Sequence, residues 1–207
     1  FAAAARRALA AGFDAIEVHS AHGYLLHQFL SPLSNRREDQ WGGDLTNRMR
    51  FPLEVIRAVR AAWPADKPLG IRISATDWAD GGFTVEEAET YSQAFAAEGI
   101  DYICVSSAGL VPWAEVPVAA GYQVRLAAAI RAASRLPTRA VGLIATPAQA
   151  EAVLAEGHAD MIALGRGFLD DPRWVWHAAQ ALGVEIPYPP QYSRATPKVW
   201  PGAAMVR

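Results

Sequence analysis

The chain has 207 residues, 52% of them hydrophobic and 19% charged, with a formal net charge of −2, a composition that suits a soluble globular α/β domain. Interspersed charges leave no basic face for a phosphate backbone, and no apolar run approaches the ~18 residues that span a bilayer, so neither nucleic acid nor membrane is an expected partner. The single cysteine, Cys104, excludes an internal disulfide and a cysteine-rich zinc site; it reads as core packing and fits a reducing cytoplasm.

In chain order, Ala2 to Ala11 is an alanine-rich helix carrying Arg6 and Arg7, with no capping side chain at its start. Ala15 to His19 is the first predicted strand. Asn47 to Ala62 places Met49, Leu53, Ile56 and Val59 at helical spacing. Leu69 to Ser74 is a second strand, after which Thr84 caps a helix running through Ala97 with Glu87 completing a capping box. Strands at Tyr102 to Ser106, Arg139 to Leu143 and Met161 to Leu164 alternate with helices at Tyr122 to Ala133, Pro147 to Glu156 and Pro172 to Leu182. Pro147 and Pro172 are expected at helix starts, and Gly99 and Gly157 at C-caps. The strands are too continuously apolar for a sheet with one wet face, so the alternation implies a parallel sheet in an α/β domain of about five strand–helix units.

Ile16 to Gly43 carries the chemistry. His19, His22 and Tyr24 follow a strand end directly, and the small residues Ser20, Ala21 and Gly23 let the backbone turn so that the three can share one cavity. Two imidazoles beside a phenol can polarise an oxygen and supply a proton. Arg72 alternates with Ile71 and Ile73, so it points into the fold, where a guanidinium needs an anion; an internal ion pair with Asp77 is one solution and an anionic ligand the other. Two glycine loops, Val141-Gly142-Leu143 and Leu164-Gly165-Arg166-Gly167, follow the last two strands, where barrel enzymes bind phosphate, and Arg166 adds a charged fork; on residues alone any phosphorylated ligand fits. Ser106 and Ser107 end a strand at the same face, as lesser candidates to touch a ligand.

The run His19-Ser-Ala-His22-Gly-Tyr24-Leu, Phe29-Leu-Ser-Pro, Asn35-x-Arg37-x-Asp39, Gly42-Gly43 and Asn47-Arg48-x-Arg50-Phe51 resembles the old yellow enzyme family of flavin-dependent ene-reductases, in its thermophilic-like or xenobiotic-reductase-like branch. The likeness continues through IRISATD, AVGLI and LGRGFLDDP to about Arg194, with Trp41 and Asp44 departing from the usual tyrosine and serine. It implies a (β/α)8 TIM barrel, of which this chain carries roughly the last five units. Barrels usually need about 250 residues or more, so residues 1–207 are expected to be one FMN-binding domain whose N-terminal part is missing, with 195–207 as a flexible tail. The resemblance further implies FMN as cofactor and NADPH, or NADH, as reductant. Arg72 would meet the flavin's pyrimidine edge, and Gly142, Gly165 and Arg166 its phosphate. An α,β-unsaturated carbonyl substrate would take hydrogen bonds from His19 and His22 and a proton from Tyr24, and Arg194 would reach the active site of a neighbouring subunit in a homo-oligomer. Two rivals stand beside this reading: a half-barrel inactive without its N-terminal part, and a metal-dependent barrel hydrolase or aldolase using His19 and His22 as ligands.

Overall fold

The computed structural model describes residues 1–205. Its five strands, β1 (Ile16–Ser20), β2 (Leu69–Ser74), β3 (Tyr102–Ser106), β4 (Thr138–Val141) and β5 (Met161–Ala163), form one parallel sheet whose spatial order is the chain order. Eight helices accompany them among the described residues: α1 (Ala2–Ala10), α2 (Leu25–Leu30), α3 (Leu45–Ala62), α4 (Val85–Ala96), α5 (Val124–Ser134), α6 (Pro147–Ala155), α7 (Arg166–Asp170) and α8 (Trp174–Ala181). A strand order that never reverses is that of a singly wound barrel wall, and no topological switch point is present.

Pleating sorts the strand residues between two unlike faces. Val18, Ile71, Ile73, Ile103, Val105 and Ala140 share one face and are buried with Ile56, Val59, Phe95, Leu126 and Ile130 of the helices. A fully buried isoleucine such as Ile103 contributes roughly 1.5–3 kcal/mol, so this layer holds the helices on. The opposite face, the inside of the arc, carries Glu17, His19, Arg72, Tyr102, Cys104 and Arg139 in register. There Glu17 pairs with Arg139, whose guanidinium also lies 5.2 Å from the centre of the Tyr102 ring. Gly70 makes room for that ring, since a Cβ on it would stand 2.1 Å from Tyr102 Cζ. Cys104 is buried in this layer, and enclosure pushes its thiol up, away from thiolate character.

Local chemistry sets the element ends. Thr84 and Glu87 form the expected capping box on α4, and Thr146 and Gln149 form another on α6, with Pro147 in the first turn. Asp44 caps α3 by accepting from the Asn47 amide at 2.9 Å, which a serine at that position also does. Pro172 does not start a helix. Asp171 accepts from the Arg173 amide at 2.9 Å and delays α8 until Trp174. Neither α2 nor α7 was expected, because five or six residues are too few to show a helical period. Within the expected tail, Pro201–Ala204 forms a 3-10 helix and Lys198 lies 2.6 Å from Glu185; residues 206 and 207 lie outside the described part.

Candidate active site

At the C-terminal end of β1 the chain reverses through two left-handed residues, His22 (φ 57°) and Gly23 (φ 75°). This hairpin stands against the loop after β3. A Cβ on Gly109 would lie 2.6 Å from His22 Cα, and one on Gly23 would lie 2.5 Å from the Gly109 carbonyl oxygen, so the two loops meet backbone to backbone as only glycine permits. Ser74, at the end of β2, bridges them: its hydroxyl accepts from the His22 amide at 3.0 Å and donates to the Ala108 carbonyl at 2.8 Å. Rings from the turn then converge, His19 with His22 at 5.4 Å and His19 with Tyr24 at 5.0 Å between centroids.

Beneath the turn lies a buried polar pair. His27 and Asp77 are both 0% exposed, with Nε2 and Oδ1 2.9 Å apart in a bent contact. His27 Nδ1 accepts from the Gly23 amide at 2.9 Å, and Asp77 Oδ2 accepts from Ser31 Oγ at 2.6 Å and from the Phe83 amide at 2.7 Å. Burial alone would raise the Asp77 carboxyl, but His27 and Ser31 hold it below the ordinary carboxylate range. Asp77 is therefore engaged, and the expected alternative of an Arg72–Asp77 pair does not form.

Arg72 instead faces inward beside His19, its register partner, with Nε buried and without a hydrogen-bond partner; no ion pair neutralises it among the described residues. Its charge acts on the imidazoles. Enclosure first and Arg72 second lower His22 to about 4 and move His19 the same way, so both rings are neutral at neutral pH. Since the Ala21 amide donates to His19 Nδ1 at 3.2 Å, the ring proton of His19 sits on Nε2.

The phosphate-loop candidates lie at the ends of β4 and β5. Gly142 has φ 113°, and a Cβ there would meet Gln123 Nε2 at 2.5 Å. Gly165 caps α7 with open space over it, and Arg166 is exposed with no ion pair among the described residues. Arg194 is exposed on a 3-10 helix, Pro190–Ala195, that packs Tyr192 on Trp176 at 5.2 Å, and no hydrogen bond or ion pair ties it to His19, His22 or Tyr24. Among the described residues no three His, Cys, Asp or Glu side chains cluster as a metal site requires, and no helix is long and apolar enough to cross a membrane.

Residues 1–185 match the NADH:flavin oxidoreductase / NADH oxidase family. The chain belongs to this family. Among its relatives, the NADPH dehydrogenase of Geobacillus thermodenitrificans (strain NG80-2) is 51% identical over 190 residues, 92% of this chain and 55% of its own length. That of Listeria innocua serovar 6a is 48% identical over 195 residues, 94% of this chain and 57% of its own. The chain thus spans a little over half the length of these relatives. Of solved structures, a 2-naphthoyl-CoA reductase complex is 31% identical with a TM-score of 0.79, over 88% of this chain and 28% of that one. Morphinone reductase in complex with tetrahydroNAD is 30% identical with a TM-score of 0.69, over 91% and 49%. The old yellow enzyme resemblance and the partial (β/α)8 barrel are thereby borne out. FMN is the flavin of this family, and the residues present suit it: an inward guanidinium lacking an anion and a glycine at an open helix start offer positive charge and N–H donors to an acceptor-rich ligand.

Proposed function

We propose that the protein carrying this chain is an FMN-dependent NAD(P)H oxidoreductase that reduces the C=C bond of α,β-unsaturated carbonyl compounds. The observation that carries this reading is the convergence of two imidazoles and a phenol next to the half-buried Arg72, whose Nε is enclosed without a hydrogen-bond partner. Arg72 would hold the pyrimidine edge of FMN, and Gly142, Gly165 and Arg166 its phosphate. FMN, when bound, would supply the hydride chemistry for the substrate β-carbon, with NADPH or NADH as the reductant. His19 and His22 act on the substrate carbonyl oxygen: neutral rings give N–H donors without placing a further cation beside Arg72, and two donors on one oxygen stabilise the charge that gathers there. Tyr24, 63% exposed at the mouth of the cluster, is the proton donor to the α-carbon. Arg194 lies outside the cluster, and a role for it at the substrate would come from a neighbouring subunit in a homo-oligomer.

Replacing His19 and His22 together with alanine tests the assignment. Flavin content is expected to stay, enone turnover to fall at least ~10²-fold, and the long-wavelength band that a phenolic ligand gives over oxidised flavin to vanish. Enone reduction at the unsubstituted rate in the double variant refutes the reading.

A further inference from the structure

His22 does not stand alone at the end of β1. Its Nε2 lies 2.7 Å from Ser106 Oγ on the last residue of β3. Either atom can be the donor, and the direction decides which ring nitrogen faces a ligand with a proton. The distances around the two serines bear on the direction. Gln123, 2% exposed, donates from Nε2 to the Val141 carbonyl at 2.7 Å, which turns its Oε1 toward the two serines. Ser107 Oγ donates to that oxygen at 2.6 Å, and Ser106 Oγ reaches the same oxygen only as a longer donor, at 3.3 Å. With Gln123 supplied by Ser107, the Ser106 proton has its nearer acceptor in His22 Nε2.

We infer that Ser106, left free by the Ser107–Gln123 hydrogen bond, is a positioning residue that fixes His22 as the Nδ1–H tautomer. His22 Nδ1 has no partner among the described residues, so its proton is available to a ligand. The result is a division of labour within the pair: His19 donates through Nε2, because its Nδ1 is occupied by the Ala21 amide, and His22 donates through Nδ1. Both side chains then act as donors, and neither presents a lone pair to an incoming carbonyl oxygen. Without Ser106 the His22 ring would populate both tautomers, one of which turns an acceptor toward the ligand. The backbone of the same residue is held by Ser74, the register partner of Ser106, so neighbouring serines on adjacent strands control the position of His22 and the placement of its proton.

This inference rests on the reading of the histidines as carbonyl donors, and the experiment separates the two. In FMN-loaded protein labelled with 15N-histidine, the His22 signals are identified by their loss in His22→Gln, and long-range correlation reports which nitrogen carries the proton. The expected result at pH 7 is Nδ1 protonated and Nε2 bare. In Ser106→Ala the proton shifts partly to Nε2 and the affinity for a phenolic ligand drops about 10-fold. In Ser107→Ala, which removes a hydroxyl that makes no hydrogen bond to His22, Ser106 turns toward Gln123 and the tautomer shifts in the same direction, a change that a purely structural role would not produce. An Nε2–H tautomer in the unsubstituted protein overturns the inference, as does an unchanged tautomer in both variants. A tautomer that moves as expected while ligand affinity stays constant keeps the control by Ser106 and overturns the carbonyl-donor reading instead.

Discussion

Asp77→Ala tests whether the buried pair under the histidine turn holds that turn in place. The substitution removes a carboxylate that is 0% exposed, that accepts from Ser31 Oγ at 2.6 Å and the Phe83 amide at 2.7 Å, and that faces His27 Nε2 at 2.9 Å in the bent contact. Each donor left without an acceptor in a buried site costs about 1–3 kcal/mol, and Asp77 faces three of them. Water entering the space of the lost carboxylate recovers part of this, so the expected loss is about 4 kcal/mol. Asp77→Asn keeps one oxygen for Ser31 and Phe83 and sets an amide N–H₂ against His27, and is expected to cost about half as much. Urea unfolding of the FMN-loaded protein at pH 7 measures both. With a slope of about 1–3 kcal/mol per molar urea, the alanine variant shifts the midpoint by at least ~1.3 M. The ring of His27 then loses its orientation, so the Gly23 amide loses its acceptor and phenolic-ligand affinity falls as well. A loss under about 1 kcal/mol for Asp77→Ala, or equal losses for both variants, refutes the reasoning.

Two further outcomes follow from the same geometry. Because the folded chain holds His22 near 4 while an unfolded histidine titrates near 6.5, the unfolded state binds more protons between those values; stability is full above about pH 6.5 and falls as the pH drops toward 4. After discounting for partial exposure of the ring, this amounts to roughly 2 kcal/mol, so in urea titrations from pH 7 to 4 the unsubstituted protein should lose about that much more stability than His22→Gln does. Gly109→Ala places a methyl 2.6 Å from His22 Cα at a φ of +90°, so phenolic-ligand binding is expected to weaken at least ~10-fold with flavin content retained, as read by absorbance titration.

The strands and long helices were legible because continuous apolar runs and helical periods are local signals: β2 and β3 lie where Leu69 to Ser74 and Tyr102 to Ser106 placed them. The His19, His22 and Tyr24 cluster was legible for the same reason, since three chemically loaded residues sit within one turn of chain. The supports of that cluster were not. Ser106 is 84 residues from His22, Asp77 is 46 from Ser31, and Glu17 is 122 from Arg139, and nothing local in the sequence announces such pairings. His27 sits in the apolar run Leu25-Leu-His-Gln-Phe-Leu30 and reads there as one more core side chain. Serines after a strand read as turn chemistry, and the role of Ser106 emerges only once Gln123, from another element, is seen to take the neighbouring hydroxyl.

The Glu17–Arg139 pair inside the arc has a mechanical consequence. Strands in a sheet stand about 4.8 Å apart, so β1 and β4, three spacings apart in the sheet order, would be roughly 14 Å apart on a flat surface. Their side chains meet because the sheet is curled and the two charges span the curve like a tie-rod across an arch. The Tyr102 ring wedged above Gly70 fills the space under that rod. The bend of the wall is thus braced from within these five strands, by side chains of β1, β3 and β4.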